Sequence, residues 1–296
     1  MDTTKYILDR PPYREIVQLH QKLPFISNLY TKFEKNYDVL PIHTWSQKAW
    51  PFLPIAIVVV YLALIFAGKK LFEDRKPFGD NNRKFLAAWN FFLSTFSFLG
   101  AFRTVPHLLY NIKTLPFQEN VCLGINDSNW GTFSTGFWVQ VFIFSKPFEL
   151  IDTFFIIVRK RPLIFLHWYH HVTVLLFCWH SYAFESSSGL WFVAMNYSVH
   201  AVMYGYYFLM AARCKPKWFN PFFITVMQIM QMVVGVFVCL ASGYYKKYSD
   251  NCEIDMENIW SGGIMYGSYC ILFFKFFLDK YIKPKIEKGE KGKKLD

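Results

Sequence analysis

The chain has little charge for its length. Only 18% of its 296 residues are charged, whereas 53% are hydrophobic and 21% are aromatic. This composition excludes a disordered or fibrous protein, and 33 Phe residues exceed what one compact soluble core needs. The apolar residues fall in blocks long enough to cross a bilayer, so the sequence predicts a membrane protein.

No basic helix or stacking platform accompanies the net charge of +11. Lys and Arg occur instead in short clusters between apolar blocks, which argues against a nucleic acid partner and is typical of the cytoplasmic side of a membrane protein. The N-terminus also lacks the apolar core of a cleavable signal peptide. We interpret residues 1–49 as a polar arm and residues 281–296 as a lysine-rich cytoplasmic tail.

Seven apolar blocks between these ends are each near or above the length that a transmembrane helix needs. They are residues 50–68, 85–110, 132–158, 163–183, 190–211, 219–243 and 258–279. The predicted fold class is therefore an all-α membrane protein with seven transmembrane helices, in one domain that spans residues 50–280. Partners of such a domain include membrane lipid.

The distribution of basic residues predicts the orientation. One set of loops, together with the C-terminus, holds 19 Lys and Arg, whereas the opposite set holds three. Because positive loops stay in the cytoplasm, the N-terminus is predicted to be lumenal and the C-terminus cytoplasmic. Asn126 begins a glycosylation sequon in a lumenal loop, and Lys293 and Lys294 resemble a dilysine retrieval signal of the endoplasmic reticulum. A solvated lysine tail would explain the two lysines equally well.

Two of the six cysteines, Cys122 and Cys252, lie in loops assigned to the lumen, where thiols can oxidise. We predict a disulfide between them that ties the loop after the second span to the loop before the seventh. Two free thiols are the alternative, because the sequence does not give their separation. The other four cysteines lie in spans or on the cytoplasmic face and are interpreted as small apolar residues or free thiols.

Histidines are few, but three of the eight occur in His167-Trp168-Tyr169-His170-His171 at the start of the fourth span. At 3.6 residues per turn, the three imidazoles share one helix face. Ionisable side chains within a membrane are usually functional, so we interpret this cluster as a reactive site. Four histidines are interpreted as structural: His20, His43, His107 and His180.

The fifth span has a polar face of its own. Asn196, His200 and Tyr204 follow one another at intervals of four residues. A hydrogen-bonded helix interface would explain Asn196 and Tyr204 well, but it explains His200 less well. We therefore include His200 among the candidate reactive groups.

Two further polar clusters lie in the third and sixth spans. Lys146, Glu149 and Asp152 are three ionisable groups within seven residues, and they indicate either a structural ion pair or a network that holds the imidazoles. Gln228 and Gln231 form one polar strip, for which interhelical hydrogen bonding is a sufficient explanation. We treat all five as supporting residues.

Four motifs occur in order along these spans: KPFELIDTFF, HWYHH, NYSVHAVMYGYY and TVMQIMQM. Through them, residues 85–280 resemble the very-long-chain fatty acid elongase family, the membrane 3-ketoacyl-CoA synthases of the endoplasmic reticulum. HWYHH followed by TVLLF is most similar to the subgroup that acts on saturated and monounsaturated long-chain acyl-CoA. The resemblance implies that helices two to seven enclose a tunnel, open to the cytoplasm and closed at the lumenal side.

The same resemblance implies the reaction. Acyl-CoA condenses with malonyl-CoA to give 3-ketoacyl-CoA, carbon dioxide and CoA, with no metal or other cofactor. It points to His170 as the nucleophile that accepts the acyl group, and a neutral imidazole can form such an acyl intermediate. His200 would position or protonate the malonyl group, while His167 and His171 would orient the cluster. Direct reaction of the two thioesters remains an alternative at this point, and the reductases and dehydratase of the elongation cycle are expected partners.

Cationic residues are needed for the phosphates of CoA. The candidates on the cytoplasmic side are Arg159, Lys160, Arg161, Arg213, Lys215 and Lys217, although many of them could serve only to fix the topology. Bulky residues near the lumenal end of a closed tunnel would measure the acyl chain, and Phe177, His180 and Trp191 are our candidates.

Two other classes of protein remain open. HxxHH also occurs in membrane di-iron desaturases and hydroxylases, but these need about eight histidines in several cytoplasmic boxes, and this chain has one box and His200. A transporter or channel would suit the seven spans and polar helix faces. The sequence shows neither broken helices nor internal repeats, which are typical of transporters.

Overall fold

The computed structural model describes most of the chain, apart from both ends and three internal stretches. The described ranges are residues 18–77, 81–123, 133–249 and 252–283, without the side chains of residues 81 and 82. Within them the secondary structure is helical throughout, with no β-strand. The predicted sites at Asn126, Lys293 and Lys294 lie outside these ranges.

Short helices form the arm ahead of the first span. They are α1 (Leu19–Lys22), a 3₁₀-helix (Pro24–Leu29), α2 (Lys32–Lys35) and α3 (Leu40–Ala49). A reciprocal cap starts α2: the hydroxyl of Thr31 accepts the N–H of Glu34 at 3.1 Å, and the Glu34 carboxylate accepts the N–H of Thr31 at 2.8 Å. The cap fixes the carboxylate of Glu34 beside the main helical body.

The main body consists of longer helices. They are α4 (Phe52–Phe72), α5 (Asn81–Thr114), α6 (Phe117–Cys122), α7 (Phe133–Glu149), α8 (Ile151–Val158), α9 (Phe165–Ala183), α10 (Gly189–Ala211), α11 (Pro221–Tyr248) and α12 (Met256–Phe277), which continues as a π-helical turn (Leu278–Ile282). Helices thus lie at all seven predicted span positions. The third predicted span is divided between α7 and α8.

Four of these helices are long and apolar enough to span a bilayer by themselves. Their spans are Phe52–Phe72, Arg83–Thr114, Pro221–Tyr248 and Met256–Ile282. The helices at the other three positions are more polar or, in the case of α7 and α8, shorter. The protein is therefore a multi-pass membrane protein with at least four such helices in its described part.

The break in the third span has a local cause. Pro147 has no backbone N–H, so the last turn of α7 cannot form its usual hydrogen bond there. The chain tightens instead: the N–H of Leu150 bonds to the carbonyl of Pro147 at 3.3 Å, and the N–H of Thr153 bonds to that of Leu150 at 3.1 Å. Asp152 and Thr153 therefore lie in the first turn of a new helix, α8.

Side-chain burial follows the pattern of a protein in lipid. On α4, Leu64 and Phe66 are 63% and 73% exposed, whereas Tyr61 is only 5% exposed. Buried polar residues such as Gln140 and Lys146 lie inside the bundle instead. Apolar side chains outside and hydrogen-bonded polar groups inside are what a hydrocarbon environment requires.

Close helix packing and one covalent link hold the body together. The helices α5 and α10 approach each other at Gly100, where a Cβ atom would collide with the ring of Tyr197. At one end of the bundle, Cys122, the last residue of α6, is joined in a disulfide to Cys252, which lies before α12. The disulfide connects the same two loops that the sequence analysis proposed to be linked.

The arm packs on this body through a buried ion pair. Arg103 on α5 contacts Glu34 at 2.8 Å between Nε and Oε1, and Trp138 Nε1 donates to the same carboxylate at 2.7 Å. Burial alone raises the pKa of Glu34, but the hydrogen bonds from Arg103 and Trp138 outweigh it and lower the pKa to about 2. The arm is therefore part of the folded protein over residues 18–49.

Candidate active site

A wide cavity of about 700 Å³ lies between α5, α8, α9, α10, α11 and α12. All four candidate catalytic histidines line it: His167, His170, His171 and His200. Five of the supporting residues also line it: Asp152, Asn196, Tyr204, Gln228 and Gln231. The structure thus gathers in one space residues that the sequence placed on four different helices.

Helical spacing arranges the histidine cluster on α9. The ring centroids of His167 and His171 are 4.5 Å apart, and those of His170 and His171 are 5.6 Å apart. Tyr269 on α12 lies beside His170, with ring centroids 5.1 Å apart, and its hydroxyl donates to the His170 carbonyl at 3.2 Å. Contacts from another helix therefore hold the centre of the cluster.

Three polar side chains, those of Lys146, Glu149 and Asn196, are grouped around His200. Lys146 Nζ contacts Glu149 Oε1 at 2.8 Å and donates to Asn196 Oδ1 at 3.2 Å. Asn196 Nδ2 donates to His200 Nε2 at 3.3 Å, and His200 Nδ1 lies 3.7 Å from Glu149 Oε2. The ammonium and the carboxylate compensate each other in the low-dielectric interior, and the amide between them fixes the His200 ring. Lys146 and Glu149 act behind the cavity wall, through Asn196 and His200.

Asp152 occupies a separate position on α8. Its two carboxylate oxygens accept hydrogen bonds from Trp89 Nε1 and from the Tyr204 hydroxyl, each at 2.7 Å. The break at Leu150 makes this possible, because it directs Asp152 towards α5 and α10 while Glu149 faces His200. The three ionisable groups of the motif therefore belong to two networks, not one.

A narrow apolar cavity of about 40 Å³ meets the wide one at the histidine cluster. The two cavities share His170, Asn196, Gln231 and Met232 as lining residues. From His170 the narrow cavity follows α9 past Phe177 to Tyr182, towards the end of the bundle that carries the disulfide. Of the three candidate length-measuring residues, Phe177 lines this cavity, whereas His180 and Trp191 are not among its lining residues.

Basic residues line the opposite part of the wide cavity. Two of the six predicted CoA-binding candidates, Arg159 and Arg161, are among its lining residues. The other four, Lys160, Arg213, Lys215 and Lys217, do not line it. Lys160 Nζ donates to the Glu73 carbonyl at 2.6 Å, and Lys215 Nζ donates to the carbonyls of Pro216 and Phe219 at 3.2 and 3.1 Å. These two ammonium groups serve loop structure.

The sequence reasoning missed several residues of the site. Arg83 and Lys280 line the wide cavity, although both come from basic clusters that were used only to predict topology. Tyr269 was missed because nothing local distinguishes it from the other aromatic residues of its span. The positions of Arg83 and Lys280 at the cytoplasmic ends of predicted spans were a signal that could have identified them.

The described residues contain no group of three or more His, Cys, Asp or Glu arranged to hold a metal ion. His167 instead bonds to a hydroxyl: its Nε2 lies 3.0 Å from Thr153 Oγ1. Tyr61 on α4 lies on the other side of that hydroxyl, at 2.8 Å. The cluster is thus held by hydroxyl, amide and aromatic groups.

Known proteins resemble the chain over most of its length. The ELO family model, described as the GNS1/SUR4 family, matches residues 46–289. The chain is 40% identical to very long chain fatty acid elongase 6 of Mus musculus over 262 residues, which cover 88% of this chain and 96% of that protein. It is 41% identical to very long chain fatty acid elongase 3 of Homo sapiens over 260 residues, covering 88% and 93%. Putative fatty acid elongase 3 of Caenorhabditis elegans is 38% identical over 278 residues, covering 91% and 85%.

Proposed function

The chain belongs to the GNS1/SUR4 family, and from this premise we propose that it catalyses the condensing step of fatty acid elongation. A long-chain acyl-CoA reacts with malonyl-CoA to give a 3-ketoacyl-CoA that is two carbons longer, with release of carbon dioxide and CoA. The observation that best supports this reaction is the position of His170, which lines both a wide cavity that contains charged and polar side chains and a narrow apolar one.

This junction suits a thioester of a long fatty acid. We assign the apolar tail to the narrow cavity, because Phe177, Phe192 and Tyr266 give it hydrophobic walls. The CoA part remains in the wide cavity, where Arg83, Arg159, Arg161 and Lys280 supply cationic partners for its phosphates. The thioester carbon then lies at His170.

In the proposed mechanism, an imidazole nitrogen of His170 attacks the acyl thioester. The C–S bond breaks, an acyl-imidazole forms, and CoA leaves as its thiol after taking up a proton. Malonyl-CoA then loses carbon dioxide, and the electron pair of the broken C–C bond becomes an enolate. The enolate carbon attacks the acyl carbon, and a C–C bond forms. The C–N bond to His170 breaks, so the imidazole is regenerated and the 3-ketoacyl-CoA is released.

His200 is the proposed partner of the malonyl group. Its ring lines the same cavity as His170 and is held by Asn196 and the Lys146–Glu149 ion pair. A ring fixed in this way can position the malonyl group beside His170 without reorganising, which lowers the barrier to condensation. His167 and His171 orient the cluster, and we assign the protein no metal or other cofactor.

The proposed setting is the endoplasmic reticulum membrane, with seven spans, a lumenal N-terminus and a cytoplasmic C-terminus. The basic cavity end then faces the cytoplasm, where both CoA substrates are soluble, and the disulfide faces an oxidising compartment. The tunnel consists of the two cavities joined at His170. The reductases and dehydratase of the cycle would receive the product on the cytoplasmic side.

Purified protein with labelled malonyl-CoA and a saturated long-chain acyl-CoA tests the proposal. The wild-type chain should form labelled 3-ketoacyl-CoA, and His170→Ala should reduce the rate by at least about 10³-fold, since no other group on that face can accept the acyl chain. Val172→Ala is the matched control, because Val172 lies on the same helix and lines neither cavity. It should keep most of the activity.

Mass spectrometry of the protein incubated with acyl-CoA alone separates the covalent route from direct reaction of the two thioesters. The covalent route gives a chain that is heavier by one acyl group, with the label on His170. If His170→Ala turns over at the wild-type rate, His170 is not the nucleophile. If the wild-type protein condenses no acyl-CoA of any length, the proposed function is wrong.

A further inference from the structure

The N-terminal arm contacts the closed end of the narrow cavity. We propose that the arm residues Tyr37 and His43 hold Tyr182 in place, and that they thereby set the length of acyl chain that the enzyme accepts. The inference rests on the proposed function. It gives a specificity-determining role to a segment that the sequence analysis interpreted only as a polar arm.

Tyr182 lies at the far end of the cavity from the reactive centre. Along α9 it follows His170 by twelve residues, which corresponds to about 18 Å at 1.5 Å per residue. Ser181 and Gly189 line the cavity at the same end. A tail that starts at His170 and follows α9 therefore meets Tyr182 last.

The Tyr182 side chain is held from two directions. Gln140 Nε2 on α7 donates to the Tyr182 hydroxyl at 2.6 Å, and the Tyr37 hydroxyl of the arm donates to Gln140 Oε1. His43 Nε2 donates to the Tyr182 carbonyl at 3.0 Å, and the two rings contact edge to face with centroids 5.0 Å apart. The arm thus reaches both the backbone and, through Gln140, the ring of Tyr182.

Helix α3 also holds the last turn of α9. Trp179 Nε1 donates to the Ser46 carbonyl at 3.2 Å, and Gln47 Nε2 donates to the Ala183 carbonyl at 3.0 Å. His43 lies 3.7 Å from Glu185 Oε1 in the loop after α9. With these contacts, α3 braces one complete turn of α9 at the cavity end.

Burial makes this network rigid. Tyr182, His43 and Gln140 are 2%, 3% and 1% exposed. Loss of one partner would leave a buried polar group unsatisfied, and the remaining groups would shift to find new partners. Because the cavity is narrow, a small displacement of the Tyr182 ring changes the depth available to a methyl end.

Substitutions in the arm test the inference without touching the cavity wall. Tyr37→Phe removes only the hydroxyl, and His43→Leu removes the bond to the Tyr182 carbonyl. Each variant is assayed with a series of saturated acyl-CoAs that differ in length by two carbons. The readout is a ratio of two kcat/KM values. The numerator belongs to the shortest acyl-CoA that is too long for the wild type to accept well, and the denominator to the acyl-CoA that the wild type prefers. We expect the ratio to rise about tenfold, the scale of discrimination that one methylene provides in an apolar pocket.

Two further variants serve as controls. Thr44→Ala changes an exposed residue next to His43 and should leave the ratio unchanged. His43→Gln keeps an N–H donor for the Tyr182 carbonyl and should restore a ratio near the wild-type value. Short acyl-CoAs, whose tails do not reach Tyr182, should react at the wild-type rate in every variant.

The outcomes distinguish this inference from the proposed function. If the arm variants condense all acyl-CoAs with an unchanged ratio, or lose activity equally for every length, the arm has only a structural role and the inference is wrong. If His43→Leu does not fold, Tyr37→Phe decides, because it removes a single oxygen atom. A wild-type protein that condenses nothing would instead reject the proposed function.

Discussion

Tyr61 shows how a residue far from the histidine motif can orient it. It lies on α4, which contributes no lining residue to either cavity, yet its hydroxyl contacts Thr153 Oγ1 at 2.8 Å. The same oxygen lies 3.0 Å from His167 Nε2. A hydroxyl that bonds to one ring nitrogen fixes the orientation of the imidazole. The first span therefore acts on the reaction as a positioning element.

We expect Tyr61→Phe to lower kcat about fivefold with little change in KM, because one hydrogen bond contributes about 1 kcal/mol and no substrate contact is lost. Steady-state kinetics over a range of pH measures this effect, and a shift of the profile would indicate altered proton transfer at His167.

Thr153→Val should have a similar effect, and the double variant should be no slower than the slower single variant, because both residues act in one chain of hydrogen bonds. Fully additive losses would show that Tyr61 and Thr153 act independently. An unchanged kcat in Tyr61→Phe would remove the first span from the mechanism.

Local spacing predicted the histidine cluster well, because i, i+3 and i+4 positions share a face in any helix. The sequence did not predict in the same way that Asp152 belongs to a different hydrogen-bond network from Lys146 and Glu149. It depends on the tightened turn at Leu150, and on Trp89 and Tyr204 from two other helices. Tertiary partners of this kind leave no periodic signal in the sequence.

At the scale of helices, α5 and α10 pack closely at Gly100. The facing Tyr197 is 1% exposed, and its hydroxyl donates to the Trp138 carbonyl at 3.0 Å. Aromatic rings of Phe96 and Phe142 hold it on two sides, with centroids 5.6 and 5.0 Å away. Tyr197 consequently has no room to move aside.

Gly100→Ala should therefore destabilise the protein by about 1–3 kcal/mol, the usual cost of an added methyl group in a tightly packed interior. The thermal midpoint of the detergent-solubilised protein measures the change. Gly267→Ala is the matched control, since a Cβ there would meet no atom within 4 Å and alanine favours the helix. Equal midpoints for the two variants would contradict the packing argument.

The contact of α2 with the bundle should weaken at low pH. The pKa of Glu34 is lowered from its ordinary value of 4.5 to about 2, so its stabilising effect is complete above pH 4.5 and is lost as the pH falls towards 2. Hydrogen exchange in residues 31–36, corrected for intrinsic rates, should accelerate in this window. Glu34→Gln should exchange faster already at neutral pH and should respond little to acid.

Glu73→Gln is the control for this experiment, because Glu73 is exposed and its side chain is not part of the arm contact. It should behave as the wild type does at every pH. If acid accelerates exchange equally in the wild-type and Glu34→Gln chains, the ion pair with Arg103 is not what holds the arm.

For the whole molecule, the disulfide between Cys122 and Cys252 closes a long loop that contains α7 to α11. Such a link restricts the unfolded chain, and its removal usually costs about 2–5 kcal/mol. We expect Cys122→Ser to lower the thermal midpoint, and reduction of the wild type to lower it by the same amount. Cys214→Ser, which changes an exposed free cysteine, should not.

Peptide mapping without reduction should recover Cys122 and Cys252 in one linked peptide. Recovery of both residues as alkylated thiols, without prior reduction, would show that the bond does not form in the native protein. It would also weaken the proposed orientation, which places both residues in the lumen.

Helices at all seven predicted positions were predictable from hydrophobic blocks alone, and four of these helices are long and apolar enough to span a bilayer. The arm was not predictable. Its helices α1 and α2 have only four residues each, and their contacts at Glu34 and His43 depend on partners far along the chain. Only the folded molecule shows that residues 18–49 pack on its helical body.

The walls of the narrow cavity come from α7 and from α9 to α12, and the last of these helices supplies Met265, Tyr266 and Tyr269. During translation, a nascent chain that ends before Met256 already contains all four histidines but not this wall. The four histidines are therefore synthesised before the binding pocket is complete. Under the proposed function, unfinished chains on the ribosome would lack part of the wall that holds an acyl tail beside His170, so activity would begin only when the final helix has been inserted.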